Sequence, residues 1–272
     1  MLFRKDRKKP HALSKRKDYL LDENTPFDVT EAFRNLKATI SVSVPKHQKG
    51  GISLFATSAY PEDGKTTVTV NLGVMFAMSD AKVVVVDADI RKGRVAKYFK
   101  HHSAPGLSEY LSGQVTLEEV LVQSKVNSNL YFIPCGTHSP KPYELLEGNA
   151  MKELAEKLRE KFDYVIYDTP PILVVSDAIA IAPVVDGAVL VTRHLVSYMN
   201  DIAKSLQNLQ MAKINVLGVI VNDYTTEKIN YTRGYKKYYY YSKHSYTYGY
   251  GPTAKEALQE QKAIKEKAEE SK

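Results

Sequence analysis

Three short stretches of this chain bring together residue types that can handle phosphate and a hard cation. The first is Ser58-Ala59-Tyr60-Pro61-Glu62-Asp63-Gly64-Lys65-Thr66-Thr67. A phosphate chain is held by backbone N–H groups at a helix N-terminus, by a lysine reaching the terminal phosphates, and by a hydroxyl on the accompanying magnesium ion. Gly64, Lys65 and Thr66 supply those parts, with Pro61, Glu62, Asp63 and Thr67 completing the loop; Ala59 stands where the general pattern has its first glycine. The second stretch is Asp87-Ala88-Asp89-Ile90-Arg91, after four valines, and the third is Asp168-Thr169-Pro170-Pro171, after Tyr164-Val165-Ile166-Tyr167. Aspartates such as Asp87, Asp89 and Asp168 hold Mg2+ directly or through water and accept a proton from an attacking hydroxyl. Each signal alone has an ordinary explanation. Gly-Lys-Thr can be a helix start with an incidental lysine, and a strand-end aspartate can cap the next helix. Three aspartates beside one phosphate loop favour metal and phosphate chemistry.

These residues need elements to position them. Apolar, β-branched runs at 52–56, 83–86, 130–134, 164–167, 187–191 and 216–221 read as strands, and 66–78, 151–161 and 201–211 as helices. Another helix begins near Thr25-Pro26, because Val29, Phe33, Leu36 and Ile40 recur at helical spacing. Strands apolar on every residue, alternating with helices, predict a parallel sheet covered on both faces: a doubly wound, mostly parallel α/β domain over 25–223. The phosphate loop and all three aspartates follow strands, so they gather at the carboxyl edge of that sheet, where ligands bind.

Composition excludes several classes. With 272 residues, 43% of them hydrophobic and 25% charged, this is an ordinary globular chain. Its one cysteine, Cys135, permits no internal disulfide and no Cys-based zinc site, as expected in a reducing cytoplasm. No apolar run is long enough to span a bilayer, and no apolar stretch follows the basic N-terminus as in a secretory signal. The net charge of +7 belongs to the ends. Residues 1–20 hold eight basic residues against two acidic ones, and 224–250 hold five against one, leaving the body slightly acidic. A nucleic-acid groove is therefore not expected. Residues 1–24 read as a basic flexible arm suited to an anionic membrane surface or an acidic protein face. Residues 224–252 form a tyrosine-rich tail with ten tyrosines, and 253–272 a polar, partly helical tail too poor in apolar residues to insert into a bilayer.

Pro61 ahead of Gly64, the Asp87-x-Asp89-x-Arg91 and Asp168-x-x-Pro171 patterns after hydrophobic strands, and the tyrosine cluster together resemble the bacterial tyrosine kinases. Residues 106–113 (GLSEYLSG) and Pro142 followed by Glu144-Leu145-Leu146 also match, so the resemblance spans roughly residues 25–250. It implies a P-loop NTPase of ParA/MinD-like fold that uses ATP and Mg2+ to phosphorylate its own tyrosines in trans and regulates capsular and exopolysaccharide synthesis. Lys65 and Thr66 then match the phosphate and magnesium residues, Asp87 and Asp89 the Walker A′ aspartates, and Asp168 the Walker B aspartate. Asp87 matches the base for the phenol proton, and Thr66, Asp87, Asp89 and Asp168 the metal-side residues. Arg91 joins the nucleotide-binding set. Asn222 matches a position where related ATPases contact adenine, although a strand-end turn explains it equally well. Tyr235, Tyr238, Tyr239, Tyr240, Tyr241, Tyr246, Tyr248 and Tyr250 are the implied phosphoacceptors. Glu31-x-x-Arg34-x-x-Lys37 resembles the family's Glu-x-x-Arg-x-x-Arg subunit-contact helix; Lys37 in place of the second arginine lacks the planar fork for bidentate pairing.

The resemblance further implies a homo-oligomer, a cognate tyrosine phosphatase, and the split arrangement in which a separate membrane-bound activator or chain-length protein holds the kinase at the inner face of the membrane. Two other readings share the nucleotide site: a ParA/MinD-like ATPase and an ATP-binding assembly scaffold. The first usually has a second lysine four residues before the loop glycine, where this chain has Tyr60.

Overall fold

The computed structural model describes residues 20–44 and 50–224. The expectations for the rest of the basic arm and for both tails concern residues outside these. In chain order the elements are α1 (Phe27–Ser43), β1 (Ile52–Ser58), α2 (Lys65–Ala77), β2 (Val83–Asp87), α3 (Val95–Tyr98), α4 (Leu107–Leu111), α5 (Leu117–Val120), β3 (Val122–Gln123), β4 (Leu130–Ile133), α6 (Pro142–Glu147), α7 (Asn149–Lys161), β5 (Tyr164–Asp168), α8 (Asp177–Ala180), a 3-10 turn (Ala182–Val184), β6 (Gly187–Arg193), α9 (Met199–Met211) and β7 (Val216–Asn222). One seven-stranded sheet has the order β3-β4-β2-β5-β1-β6-β7. Every pairing is parallel except the short edge strand β3 against β4. The doubly wound, mostly parallel architecture follows from strands whose two faces are both apolar, because each face then needs its own helical layer.

Alternate strand residues enter different cores. Leu54, Ala56, Val83, Val85, Ile166, Val189 and Val191 pack with α1, α2 and α3. Phe55, Val84, Val86, Val165, Tyr167 and Ala188 pack with α4 to α9. Helix α2 sits deepest: Thr66 and every residue from Val68 to Ala77 are buried, so it has no solvated face and follows β1 under the sheet.

Two expectations are corrected. Coverage of both faces fails at β7, where Val219 and Val221 are 42% and 53% exposed, because this strand lies at the sheet edge. The body also starts before residue 25. Leu21 is buried, and its N–H donates to Asn71 Oδ1 at 2.7 Å, so an apolar residue amid charges anchors the end of the arm on α2.

Candidate active site

Strands β2, β5 and β1 are consecutive neighbours, and parallel register brings their carboxyl ends level. Asp87 lies opposite Asp168 across β2 and β5, and Asp168 opposite Ala56 of β1. The Ala88 N–H donates to Asp168 C=O at 2.8 Å, tying the two strand ends together. From β1 the chain turns through Tyr60 to Asp63 and enters α2 at Lys65. Gly64 makes the entry with φ of 91°, a left-handed conformation that glycine adopts without steric cost. Asn222, at the end of β7, donates through Nδ2 to Asp63 C=O at 2.9 Å. A Cβ on Gly64 would lie 1.9 Å from that nitrogen, so glycine is also required for close approach.

The loop residues meet the aspartates directly. Lys65 Nζ lies 3.2 Å from Asp89 Oδ2 and 3.7 Å from Asp168 Oδ2. Thr66 Oγ1 donates to Asp168 Oδ2 at 2.6 Å, and Thr69 Oγ1 to Asp168 Oδ1 at 3.3 Å. Asp87 and Asp168 are fully buried and Asp89 is 5% exposed. Burial, then the neighbouring Asp168 charge, pushes the Asp87 carboxyl well above the usual carboxylate range; the Val95 N–H, donating to Oδ2 at 2.9 Å, pulls the other way. Burial also raises Asp168, against the pull of Lys65 and the Thr66 hydroxyl. For Lys65 burial disfavours the charge, but Asp168, Asp89 and Asp87 outweigh it and raise its pKa. The result is an ammonium held among three carboxylates at a sheet edge.

The remaining loop residues have distinct settings. Pro61 and Glu62 are exposed, with Glu62 at φ of 74°. Asp63 is buried and accepts from Ser197 Oγ at 3.0 Å, which pins the loop to the segment after β6. Thr67 Oγ1 bonds the Tyr98 hydroxyl at 2.5 Å, so its hydroxyl is engaged within the fold. A cleft of about 400 Å3 opens beside the loop between Tyr60, Pro61, Val196 and Tyr198, but neither Lys65 nor any of the three aspartates lines it. The guanidinium of Arg91, which the resemblance places in the nucleotide-binding set, forks on Asp177. On α1, Glu31 and Arg34 pair with each other, and Lys37 Nζ donates to Ser79 Oγ at 2.6 Å. The eight implied phosphoacceptors lie outside the described residues.

Thr69, Ser197 and Asp177 are participants that the sequence reading did not single out. Thr69 was findable, since Thr66 and Thr69 sit three apart on one helix face. Ser197 and Asp177 reach the site only through tertiary contacts and carry no local signal.

Among the described residues no group of three or more His, Cys, Asp or Glu forms a metal cage. The donors fit Mg2+ all the same, because this ion keeps water and takes one or two carboxylates together with substrate phosphates. Thr66 and Asp168, with Asp87 and Asp89 beside them, offer oxygen donors only.

A family described as an AAA domain matches residues 39–216. Tyrosine-protein kinase YwqD of Bacillus subtilis is 37% identical over 194 residues, which make up 71% of this chain and 80% of YwqD. The chain belongs to the AAA-domain bacterial tyrosine kinases. The kinase domain of Escherichia coli tyrosine kinase ETK superposes with a TM-score of 0.70 at 32% identity, covering 81% of this chain and 89% of that one. The septum site-determining protein MinD of Pyrococcus horikoshii, complexed with Mg-ADP, shares the architecture at a TM-score of 0.56 and 25% identity, covering 65% of this chain and 72% of that one. The P-loop NTPase fold expected from the motifs is thus present. The chain spans only 27% and 28% of the full Acinetobacter johnsonii and Escherichia coli kinases that it matches. Among the described residues no helix is long and apolar enough to cross a membrane.

Proposed function

We propose that this chain is an ATP-dependent protein-tyrosine kinase that phosphorylates the tyrosines at 235–250 of a neighbouring copy. The observation that carries the reading is the convergence of Lys65, Thr66, Asp89 and Asp168 within hydrogen-bonding and ion-pairing distance at the carboxyl edge of three adjacent strands. Lys65 and the loop amides bind the ATP phosphates, and Lys65 leaves its carboxylate partners to do so. Thr66 and Asp168, with Asp89, hold Mg2+, which neutralises charge on the phosphates when bound. The phenol oxygen forms the new bond to the γ-phosphorus, the bond to the ADP oxygen breaks, and Asp87 takes the phenol proton. A carboxyl with raised proton affinity suits that task. Asp87 is fully buried, with Gly93 packed so closely that a Cβ there would sit 2.5 Å from Oδ2, so residues 91–94 must give way for a phenol to reach it. Asn222 supports the loop through Asp63 and contacts adenine from the same place.

The wider setting belongs to the same proposal: a homo-oligomer built through α1, a membrane-bound activator of polysaccharide synthesis holding the kinase at the inner membrane face, a cognate phosphatase, and control of capsular or exopolysaccharide output. Each phosphate adds about −1.5 to −2 charges, so a few of them reverse the basic tail and loosen assembly.

The test is intact mass after incubation with Mg-ATP, with and without an activator peptide. Wild type gains several phosphates; Lys65→Met and a chain truncated after Asp223 gain none. ATP hydrolysis without any phosphotyrosine would replace this reading with a MinD-like ATPase, the alternative favoured by the shared fold.

A further inference from the structure

The fork between Arg91 and Asp177 lies outside the reacting groups. Arg91 Nε donates to Asp177 Oδ2 at 2.6 Å and its NH2 nitrogen to Oδ1 at 3.1 Å. Asp177 opens α8 and is 1% exposed, whereas the Arg91 side chain is 38% exposed and also faces Asp89 and Glu144. The pair therefore joins two loops, one leaving β2 with Asp87 and Asp89, the other leaving β5 after Asp168. Within the first loop the Lys92 N–H donates to Asp89 Oδ1 at 3.0 Å, so the turn that aims the Asp89 carboxylate is the same turn that carries Arg91. Beside the Ala88 to Asp168 backbone bond at the strand ends, this fork ties the two loops through side chains. A guanidinium fixes both distance and orientation toward a carboxylate, which an ammonium cannot.

We propose that Arg91 and Asp177 are a positioning pair, which holds the turn carrying the Asp89 carboxylate in place on the metal side of the site, and that Arg91 does not itself bind nucleotide. The proposal deepens the kinase reading and rests on it. Displacement of reacting groups by about 1 Å lowers rates by as much as a hundredfold while leaving binding from elsewhere in the site intact. The signature is thus a loss in kcat at constant KM.

The experiment uses the full chain with Mg-ATP and a synthetic peptide copying residues 233–250, comparing wild type with Arg91→Lys, Arg91→Ala, Asp177→Asn and the Arg91→Ala/Asp177→Asn double variant. Arg91→Lys is expected to lose about tenfold in kcat and Arg91→Ala more, with the KM for ATP within about twofold of wild type. The double variant should fall no further than the worse single one, as for two residues acting through one contact. Wild-type kcat in Arg91→Lys would overturn the fork as a positioning device. A raised KM for ATP at unchanged kcat would overturn it in favour of direct nucleotide contact. Should wild type hydrolyse ATP without phosphorylating tyrosine, the kinase reading fails alone, and the same kcat and KM comparison on hydrolysis decides the positioning role.

Discussion

Glu109 offers a quantitative handle on how the loops behind the site are held. Its Oε2 accepts from the Gly106 N–H at 2.8 Å and the Ser108 hydroxyl at 3.0 Å, and its Oε1 accepts from the Thr137 N–H at 2.9 Å. One carboxylate thus ties the start of α4 to the segment after β4. Burial opposes its charge, but hydrogen bonds from Thr137 and Gly106 prevail and lower its pKa from 4.5 to about 2. That depression corresponds to about 3 kcal/mol of stability at neutral pH. Because the folded value lies below the unfolded one, the contribution is complete above the unfolded value and is lost as pH falls toward the folded one. At pH 3 less than half of it remains. Glu109→Gln cannot ionise, and its amide nitrogen cannot accept the hydrogen bonds made to one of the two oxygens. It should cost about 2 to 3 kcal/mol at pH 7 and lower the melting temperature by about 5 to 10 °C. Urea unfolding of both proteins at pH 7 and pH 3 is the assay, and the stability gap should narrow by about 2 kcal/mol between them. A gap of equal size at both pH values would refute the assignment of this stabilisation to charge.

Two further outcomes separate function from stability at opposite edges of the sheet. Gly64→Ala places a methyl group 1.9 Å from Asn222 Nδ2 at a φ of 91°; it should weaken binding of a fluorescent ATP analogue by more than about tenfold while the chain stays folded, since left-handed strain costs only about 1 to 2 kcal/mol. Unchanged affinity would show that the loop does not need this conformation. At the amino edge, Asp186 accepts from Arg159 NH2 at 2.6 Å and from the Ser53 N–H at 2.8 Å. Asp186→Asn should lower unfolding free energy by about 2 kcal/mol with kcat unchanged, and a kcat loss at full stability would contradict the division between the edges.

Much of the fold was legible because it rests on local pattern. The valine run at 83–86 and the run at 164–167 could only be buried strands, and the glycine before Lys65 could only open a helix after a tight turn. The site was legible for the same reason: Lys65, Thr66, Asp87, Asp89 and Asp168 all follow strands, so a parallel sheet had to collect them. The two-residue strand β3 and the short helices α3, α4 and α5 were not legible. Segments of two to five residues carry too little periodicity to announce themselves and form where tertiary contacts hold them.

The sequence by itself therefore determined which residues could do the chemistry and that they would share one edge, since residue type and strand period are properties of the chain alone. Only the tertiary structure decided strand order, the placing of Asn222 against the Gly64 loop, the anchoring of Leu21 and the pairing of Arg91 with Asp177. Each of these depends on which distant atoms meet, and no local pattern encodes the partner of a buried hydrogen bond.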